Sequence, residues 1–441
     1  MFKTIKNAWK TPEVRKKLLY TLVLIIIFRL GCFITVPGVN QIALATEMEN
    51  STTSIVGLIN TISGGAFSKL SIFAMTITPY ITASIVIQLL AMIIPSLERM
   101  MKEGGETGKE KINKYTKLVS IALAFIESLG LYIAYSSNGV LMNPGFITGS
   151  IFVLSLIAGT SILMWLGEQI TNKGIGNGIS MIIFVGILSS LPSGVVTLAN
   201  LIYANGAINT VGIATALAII AGAVVLIAGV VFVQQAERRV PVQYAKKVVG
   251  RKMYGGQNTH IPVKLAMAGV MPVIFATSFM TFPAMMIQIF AADKIGGSGF
   301  LAGLYNFSIA TSVSSVPWGY SLANAIVYLM LIVGFTFFYT YVMFNPKEVA
   351  TTIKQNGGFI PGIRAGKPTV DYLTGILGKL TWFGAIFLSL IAVLPMLARF
   401  STVNISFGGT SILIVVGVAL ETIQQLESQL VMRHYKGFLE K

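Results

Sequence analysis

The stretch FAMTITPYITASIVIQLLAMII, residues 73–94, decides the fold class of this chain. It contains no charged side chain, and a helix of about 20 apolar residues crosses the roughly 30 Å hydrocarbon layer of a bilayer. Similar apolar blocks recur along all 441 residues, of which 54% are hydrophobic and 11% are charged. Soluble proteins have an apolar share of about 45 to 50%. The composition therefore predicts a polytopic membrane protein whose excess apolar surface faces lipid.

From this stretch and the similar blocks on either side of it, we predict about ten membrane-spanning helices. They cover residues 18–36, 73–94, 118–135, 150–166, 178–191, 211–233, 265–291, 322–344, 380–397 and 412–430. The first block is too long for the core of a signal peptide and lacks a small-residue cleavage site, so we expect no cleavable signal. The one cysteine, Cys32, lies in this first span and cannot form an internal disulfide.

The charged loops between the spans divide by sign onto two sides. Nearly all lysines and arginines fall in the N-terminus, the C-terminus and three loops on the same side, at about 99–117, 234–264 and 345–379. The opposite side carries only Lys69, Lys294 and Arg399. Because cytoplasmic loops are enriched in basic residues, this distribution predicts that both termini are cytoplasmic.

Ten spans can form two sets of five, and an odd number places a duplicated unit in the membrane in opposite orientations. We therefore predict two inverted halves, residues 1–200 and 201–441. In such folds the working site lies where matching helices are interrupted by Gly or Pro. Pro79 lies in span two, and Pro272 and Pro283 lie in its counterpart, span seven. These two spans are the first indication of where the function resides.

Motifs for catalysis or metal binding are missing from the sequence. The two histidines, His260 and His434, form no HExxH or His/Cys cluster, so we expect no enzyme, no cofactor and no metal. Only Arg29 and Glu127 are ionisable residues deep in a span. Arg29 is interpreted as a structural cation that bonds helix-end carbonyls, and Glu127 has no evident partner. This set is small for an ion-coupled transporter, but that alternative stays open, as does an insertase or scaffold without an aqueous pore.

Two segments outside the spans have more than one interpretation. The segment IVGLINTISGGAFSKL, at about 55–70, is apolar but short and bears glycines. It is either a plug or, as is commoner for an isolated segment of this kind, an interfacial helix. The basic loop at 234–264 suits a phosphate or acidic protein surface, but the same charges would also serve only to fix topology.

Motifs from one end of the chain to the other resemble the SecY family of protein-conducting channels, its bacterial branch in particular. They are FRLG (28–31), SGGA (63–66), PYITASI (79–85), WLGEQIT (165–171), GIGNGIS (174–180), FNPKE (344–348), PGIR (361–364) and FGGTS (407–411). The resemblance implies an all-α fold of two pseudosymmetric five-helix halves around an hourglass pore. It also implies a channel that passes unfolded secretory chains across the plasma (inner) membrane and releases hydrophobic segments sideways into lipid.

The resemblance assigns site residues in three groups. A pore ring, the apolar constriction of the idle channel, matches Ile77, Ile81, Ile179, Ile183, Ile274 and Ile414. The plug is segment 55–70, with Asn60, Ser63, Gly64 and Gly65. The lateral gate lies between spans two and seven, beside span eight, with Thr82, Ser84 and Gln88 facing Thr277 and Ser278. One departure is Ala266, where many bacterial members carry Asn. The resemblance therefore does not determine how polar the gate is in this chain.

The resemblance also implies partners. Arg251, Lys252 and Arg364 match positions in the basic loops that contact the SecA motor ATPase or the ribosome, ribosomal RNA included. The small subunits SecE and SecG, client chains with signal peptides, and membrane lipid complete the expected partners.

Overall fold

A computed structural model describes most of the chain as helices. The described residues are 2–50, 60, 63–102, 105–137, 139–204, 207–208, 210–244, 247–249, 252–254, 258–291, 297, 299–310, 317–398 and 409–439. The helices are α1 Phe2–Lys10, α2 Pro12–Gly31, α3 Gln41–Asn50, α4 Thr78–Ile93, α5 Pro95–Lys102, α6 Gly105–Ser137, α7 Phe146–Lys173, α8 Gly178–Ser189, α9 Leu191–Ile202, α10 Thr210–Gln235, α11 Met271–Phe290, α12 Phe300–Ile309, α13 Trp318–Met343, α14 Pro346–Gln355, α15 Lys367–Ala398 and α16 Gly409–Leu439.

The helical membrane body follows the predicted spans. Among the described residues, seven helical stretches are long and apolar enough to cross a bilayer, and α4 with α5 forms an eighth candidate that bends by 109°. Helices α2 and α11 lie at the predicted first and seventh spans, which gives ten in all. The fifth span is longer than predicted, because α9 continues α8 as far as Ile202.

Spans two and seven both begin later than the hydropathy predicts. Residues 72–77 and 265–270 form turns, so α4 begins at Thr78 and α11 at Met271. Pro79 and Pro272 are the second residues of these helices, where a missing N–H costs no helical hydrogen bond. Pro79 and Pro272 therefore start their helices rather than interrupt them. Of the three prolines considered, Pro283 alone lies inside its helix. The two matched helices still begin alike, which agrees with the inverted repeat.

The two halves touch at two places. On one side α4 and α6 contact α11, and on the other α2 and α8 contact α16. A buried apolar cluster joins residues of α4 and α8 with residues of α10, α11, α13, α15 and α16. The centre of the molecule is therefore lined by both halves.

The two long basic loops contain strands that the sequence did not predict. The short strands β1 Tyr203–Ala204 and β2 Ala207–Ile208 lie between α9 and α10, and the basic loops contain β3 Glu237–Tyr244, β4 Lys247–Val249, β5 Lys252–Tyr254, β6 Asn258–Lys264 and β7 Gly358–Phe359. Strands β6, β3 and β7 form an antiparallel sheet that joins the two loops. Val240 and Val242 point from β3 into a cluster with Ala350, Ile353 and Leu373, which makes the two loops one platform.

Helices α7 and α8 cross at a contact between two glycines. A Cβ on Gly178 would overlap the carbonyl of Gly167, so no side chain fits there. The Oδ1 of Asn177 caps α8 by accepting hydrogen bonds from the amides of Ile179 (3.1 Å) and Ser180 (3.4 Å). The GIGNG motif therefore fixes the start of α8 against α7.

Candidate functional site

The SGGA motif docks against α2 and α8. Arg29 Nη1 donates a hydrogen bond to the Gly64 carbonyl at 2.7 Å. The Ser189 hydroxyl, which donates to the Gly186 carbonyl at 2.7 Å, also lies 3.3 Å from the Gly64 oxygen. Gly64 has a φ of +63°, and a Cβ there would lie 2.8 Å from the carbonyl oxygen of Gly186. Both the backbone conformation and the space around it therefore require glycine. We call this set of contacts the outer dock.

The four predicted plug residues form one tightly bonded unit. The Asn60 carbonyl accepts hydrogen bonds from Gly65 N at 2.9 Å and from Ser63 Oγ at 3.0 Å. The Asn60 side chain accepts one from Ser68 N at 3.0 Å. Residues 55–59 and 61–62 of the predicted plug lie outside the described residues. Of the described part, Asn60 is helical and residues 63–70 form turns.

Arg29 acts as a structural cation, as predicted, but the carbonyl that it bonds is in the Gly64 turn and not at a helix end. Its guanidinium also lies 5.5 Å from the centre of the Phe33 ring. A charged side chain among apolar helices is costly unless it is paired or hydrogen-bonded. This hydrogen bond therefore stabilises the charge of Arg29 and also holds the Gly64 turn in place.

Five of the six predicted ring isoleucines meet in the central apolar cluster. Ile183 and Ile414 are buried in it, and the partly buried Ile81, Ile179 and Ile274 pack against it. They come from α4, α8, α11 and α16, and so from both halves. Ile77 lies in a neighbouring cluster, to which Ile81 and Ile179 also belong as partly buried members. Ile77 precedes the first residue of α4. Ile77 and Ile81 therefore do not lie on successive turns of one helix.

Helices α4 and α11 contact each other along what we call the gate seam, but the predicted gate residues form hydrogen bonds elsewhere. On α4, Thr82 donates to the Thr78 carbonyl, and Gln88 donates to Ser84 Oγ at 3.0 Å. On α11, Thr277 donates to the Val273 carbonyl at 2.7 Å. In the part of the chain that the structure describes, no hydrogen bond joins α4 to α11.

Two tyrosines on α13 bind the gate helices and were missed in the sequence. The Tyr328 hydroxyl, whose side chain is buried, lies 3.0 Å from Thr277 Oγ1. The Tyr339 hydroxyl interacts with the Gln88 side chain, and its ring packs edge-on against Phe275 at 5.2 Å. Nothing in the local sequence distinguishes these tyrosines from others in spans. Helix α13 is thus tied to α11 and also touches α4.

Two helices of the first half carry ionisable groups in opposite situations, one an ion pair and the other a carboxyl group without a hydrogen bond. Lys117 on α6 and Glu168 on α7 form an ion pair at 2.5 Å. Glu127 on α6 is 1% exposed, and its Oε2 has no hydrogen-bond partner among the described residues, as the sequence suggested. The described residues contain no cluster of three or more potential metal ligands.

Arg364 lies at the exposed tip of a loop, as predicted. Ile363 N donates to the Ile360 carbonyl at 3.0 Å, and Gly362 has a φ of +80°, which is the geometry of a type II turn. Lys252 begins β5, where it pairs with Val249 of β4. Arg251 lies outside the described residues.

This architecture has the fold of protein-conducting channels, a class of many-helix membrane proteins. The solved structure described as "The structure of a protein conducting channel" matches with a TM-score of 0.66 and 22% identity, over 93% of this chain and 91% of that one. Sec61 in the canine ribosome-channel complex from the endoplasmic reticulum matches with a TM-score of 0.63 and 20% identity, over the same shares.

The chain belongs to the SecY family. The SecY family model matches residues 71–423. Proteins named "Protein translocase subunit SecY" are 44% identical in Halalkalibacterium halodurans, 43% in Bacillus subtilis and 42% in Streptomyces scabiei. Each alignment covers 100% of this chain and 100% of the relative.

Proposed function

We propose that this chain is the channel-forming subunit of a protein translocase. It passes unfolded secretory chains across the plasma membrane and releases hydrophobic segments sideways into lipid. The relatives named as translocase subunits over their full length support this function. The single observation that carries it is the outer dock, where the Gly64 turn is bonded to Arg29 and its Ala66 shares an apolar cluster with Ile77, Ile81 and Ile179. An ion-coupled transporter would depend on several free charges in the spans, whereas Arg29 is engaged with Gly64 and Glu127 is a single buried carboxyl group.

The idle channel is closed in two layers. Branched aliphatic side chains form a constriction that excludes water and ions yet yields to a passing chain, and we assign this role to the six ring isoleucines. Segment 55–70 is the plug that covers the constriction from the outer side. The two halves, residues 1–200 and 201–441, then separate at the gate seam to admit or release a client.

We assign the basic side to the cytoplasm, with both termini there. The sheet platform and the Arg364 turn provide its contact surface for a SecA-type motor or a ribosome, with SecE and SecG as accompanying subunits. The support is the charge distribution and a relative of the same fold that was solved in a ribosome-channel complex. The driving energy comes from these partners, because the sequence has no nucleotide-binding motif.

The seal is tested by conductance in planar bilayers. We expect a double variant, Ile183→Ser with Ile414→Ser, to leak ions, because a wider and wetter constriction no longer excludes them. The matched control is Ile187→Ser with Leu413→Ser, which changes two buried residues of the same cluster on the same two helices. Equal conductance of the two variants, both correctly assembled, would refute the ring assignment.

The partner contact is tested at Arg364. We expect Arg364→Glu to abolish motor-driven export and Arg364→Lys to impair it, because a bidentate contact needs the planar guanidinium. Lys367→Glu, at an exposed neighbouring lysine, is the control and should retain export. Normal export by Arg364→Glu, at unchanged abundance, would return this residue to a topological role.

A further inference from the structure

A cleft opens on the basic side of the molecule, between α15 and the start of β3. It has a volume of about 290 Å³. Its lining consists of Arg238, Asp371, Tyr372, Gly375, Ile376, Lys379 and Leu380. Two cations and one carboxylate thus surround a pocket whose other walls are apolar or aromatic.

The charges of the cleft border two apolar helical segments, which indicates that the cleft lies near the lipid headgroups. Arg238 follows the last residue of the α10 span, Gln235, by three positions. Lys379 immediately precedes residues 380–398 of α15, which contain no charged side chain. Cations at such boundaries extend their long side chains toward the membrane interface. Both charges are therefore within reach of a headgroup phosphate.

The charged side chains of the cleft have no polar partner among the described residues. In the described part of the chain, Arg238, Asp371 and Lys379 take part in no ion pair and in no side-chain hydrogen bond. The adjacent Arg239, in contrast, binds Glu237 at 2.8 Å. The three free groups are exposed and can bind a ligand without breaking an internal contact.

An apolar track leads from the cleft into the bilayer. Phe383, Ile386 and Leu390 are 54%, 59% and 62% exposed on α15. Together with Ile376 and Lys379 they recur every three or four residues, which places them on one face of the helix. A molecule with a phosphate head and a hydrocarbon tail matches this arrangement, with the head in the cleft and the tail along the track.

We propose that the cleft binds an anionic phospholipid with a hydroxylated headgroup. Arg238 and Lys379 contact the phosphate, for which the arginine fork offers two parallel hydrogen bonds. Asp371 accepts a hydrogen bond from a headgroup hydroxyl, and the acyl chains lie along Phe383 and its neighbours. Two cations against one carboxylate leave the lining net positive, which favours an anionic over a zwitterionic lipid.

Native mass spectrometry of the full chain with its copurified subunits tests the site, with phosphatidylglycerol as the probe. We expect Arg238→Gln with Lys379→Gln to weaken phosphatidylglycerol binding about tenfold or more, from the loss of two interfacial charges. The control, Arg239→Gln with Lys367→Gln, removes the same charge outside the lining and should bind as the unchanged protein does.

Four outcomes would overturn the proposal. One is unchanged binding by the Arg238 and Lys379 variant, and a second is an equal loss in the control. A third is displacement of the lipid by millimolar inorganic phosphate, which would make the cleft a site for the free anion. Finally, a photoreactive residue in place of Tyr372 should crosslink to phospholipid in native membranes, and crosslinking to a protein would assign the cleft to a partner subunit.

Discussion

The outer dock and the gate seam both join moving parts of the proposed channel, but they are held together by different forces. The dock depends on the hydrogen bond from Arg29 to the Gly64 carbonyl, beside which the Ser189 hydroxyl makes a longer, shared contact of 3.3 Å. The seam between α4 and α11 depends on apolar contact, with no hydrogen bond between the two helices among the described residues. Hydrogen bonds need a defined geometry, whereas apolar contact has no direction. The dock should therefore be sensitive to single atoms, and the seam should tolerate change.

The largest effect is expected from Gly64→Ala. The new Cβ would crowd Gly186 O at 2.8 Å, and φ at this position is +63°. We expect the turn to leave its dock and ion conductance in planar bilayers to rise several-fold. Gly65→Ala is a sharp control, because φ there is +85° with no atom within 4 Å of the new Cβ. It carries the backbone strain without the overlap, so equal conductance of both variants would contradict the role of the contact.

A smaller effect of the same kind is expected from Arg29→Gln. Hydrogen bonds to charged groups contribute about 1.5–3 kcal/mol, and the shorter, neutral side chain loses this contribution at Gly64. The measurement is the rate at which a cysteine placed at Ser63 reacts with an impermeant thiol reagent, in a Cys32→Ser background. Arg15→Gln, on the exposed start of α2, is the control. If both variants react like the unchanged protein, Arg29 does not hold the turn.

A weaker perturbation is expected at the edge of the seam from Tyr328→Phe. It removes only the hydroxyl that bonds Thr277, and a neutral hydrogen bond contributes about 0.5–1.5 kcal/mol. Helix α11 would then be held less firmly to α13. We expect client segments of marginal hydrophobicity to be released into lipid more often, as measured by membrane-insertion assays. Tyr341→Phe, at an exposed tyrosine of the same helix, should leave insertion unchanged.

The smallest effect is expected from Ser84→Ala, within the seam itself. Its hydroxyl accepts a hydrogen bond from Gln88 on the same helix, so its removal breaks no contact with α11. Insertion of the same client segments should stay within experimental error of the unchanged protein. A clear shift would indicate a polar contact across the seam and would weaken the contrast with the dock.

The sequence predicted the parts of this molecule that depend on local signals. Apolar blocks located ten spans, and Pro361 with Gly362 located the turn that exposes Arg364. The late starts of α4 and α11 were missed because turns buried among apolar residues have the same hydropathy as helix. The bond from Ser189 to Gly64 joins residues 125 positions apart, and no local pattern encodes such a pair.

The sheet in the basic loops was missed for a related reason. Strand β3 buries Val240 and Val242 on either side of the exposed Pro241, but it is only eight residues long and begins with three charged residues. Its pairing with β7 joins Tyr244 to Gly358 across two spans. The fold brings these segments together, so their strand character becomes apparent only when both are in place.

The glycine contact at the start of α8 fixes one end of this helix, so a tilt of the helix would move its other end. Gly178 is fixed against α7, Ile179 and Ile183 follow within two turns, and Ser189 lies beside the Gly64 carbonyl at the far end, so α8 would tilt about Gly178. The helix rises about 16 Å between Gly178 and Ser189, so a tilt of about 10° would displace the far end by about 3 Å. That displacement exceeds the tolerance of a hydrogen bond. In the proposed channel, a client that displaces the ring isoleucines would thereby loosen the Gly64 turn before touching it. The isoleucine ring and the plug would then open together.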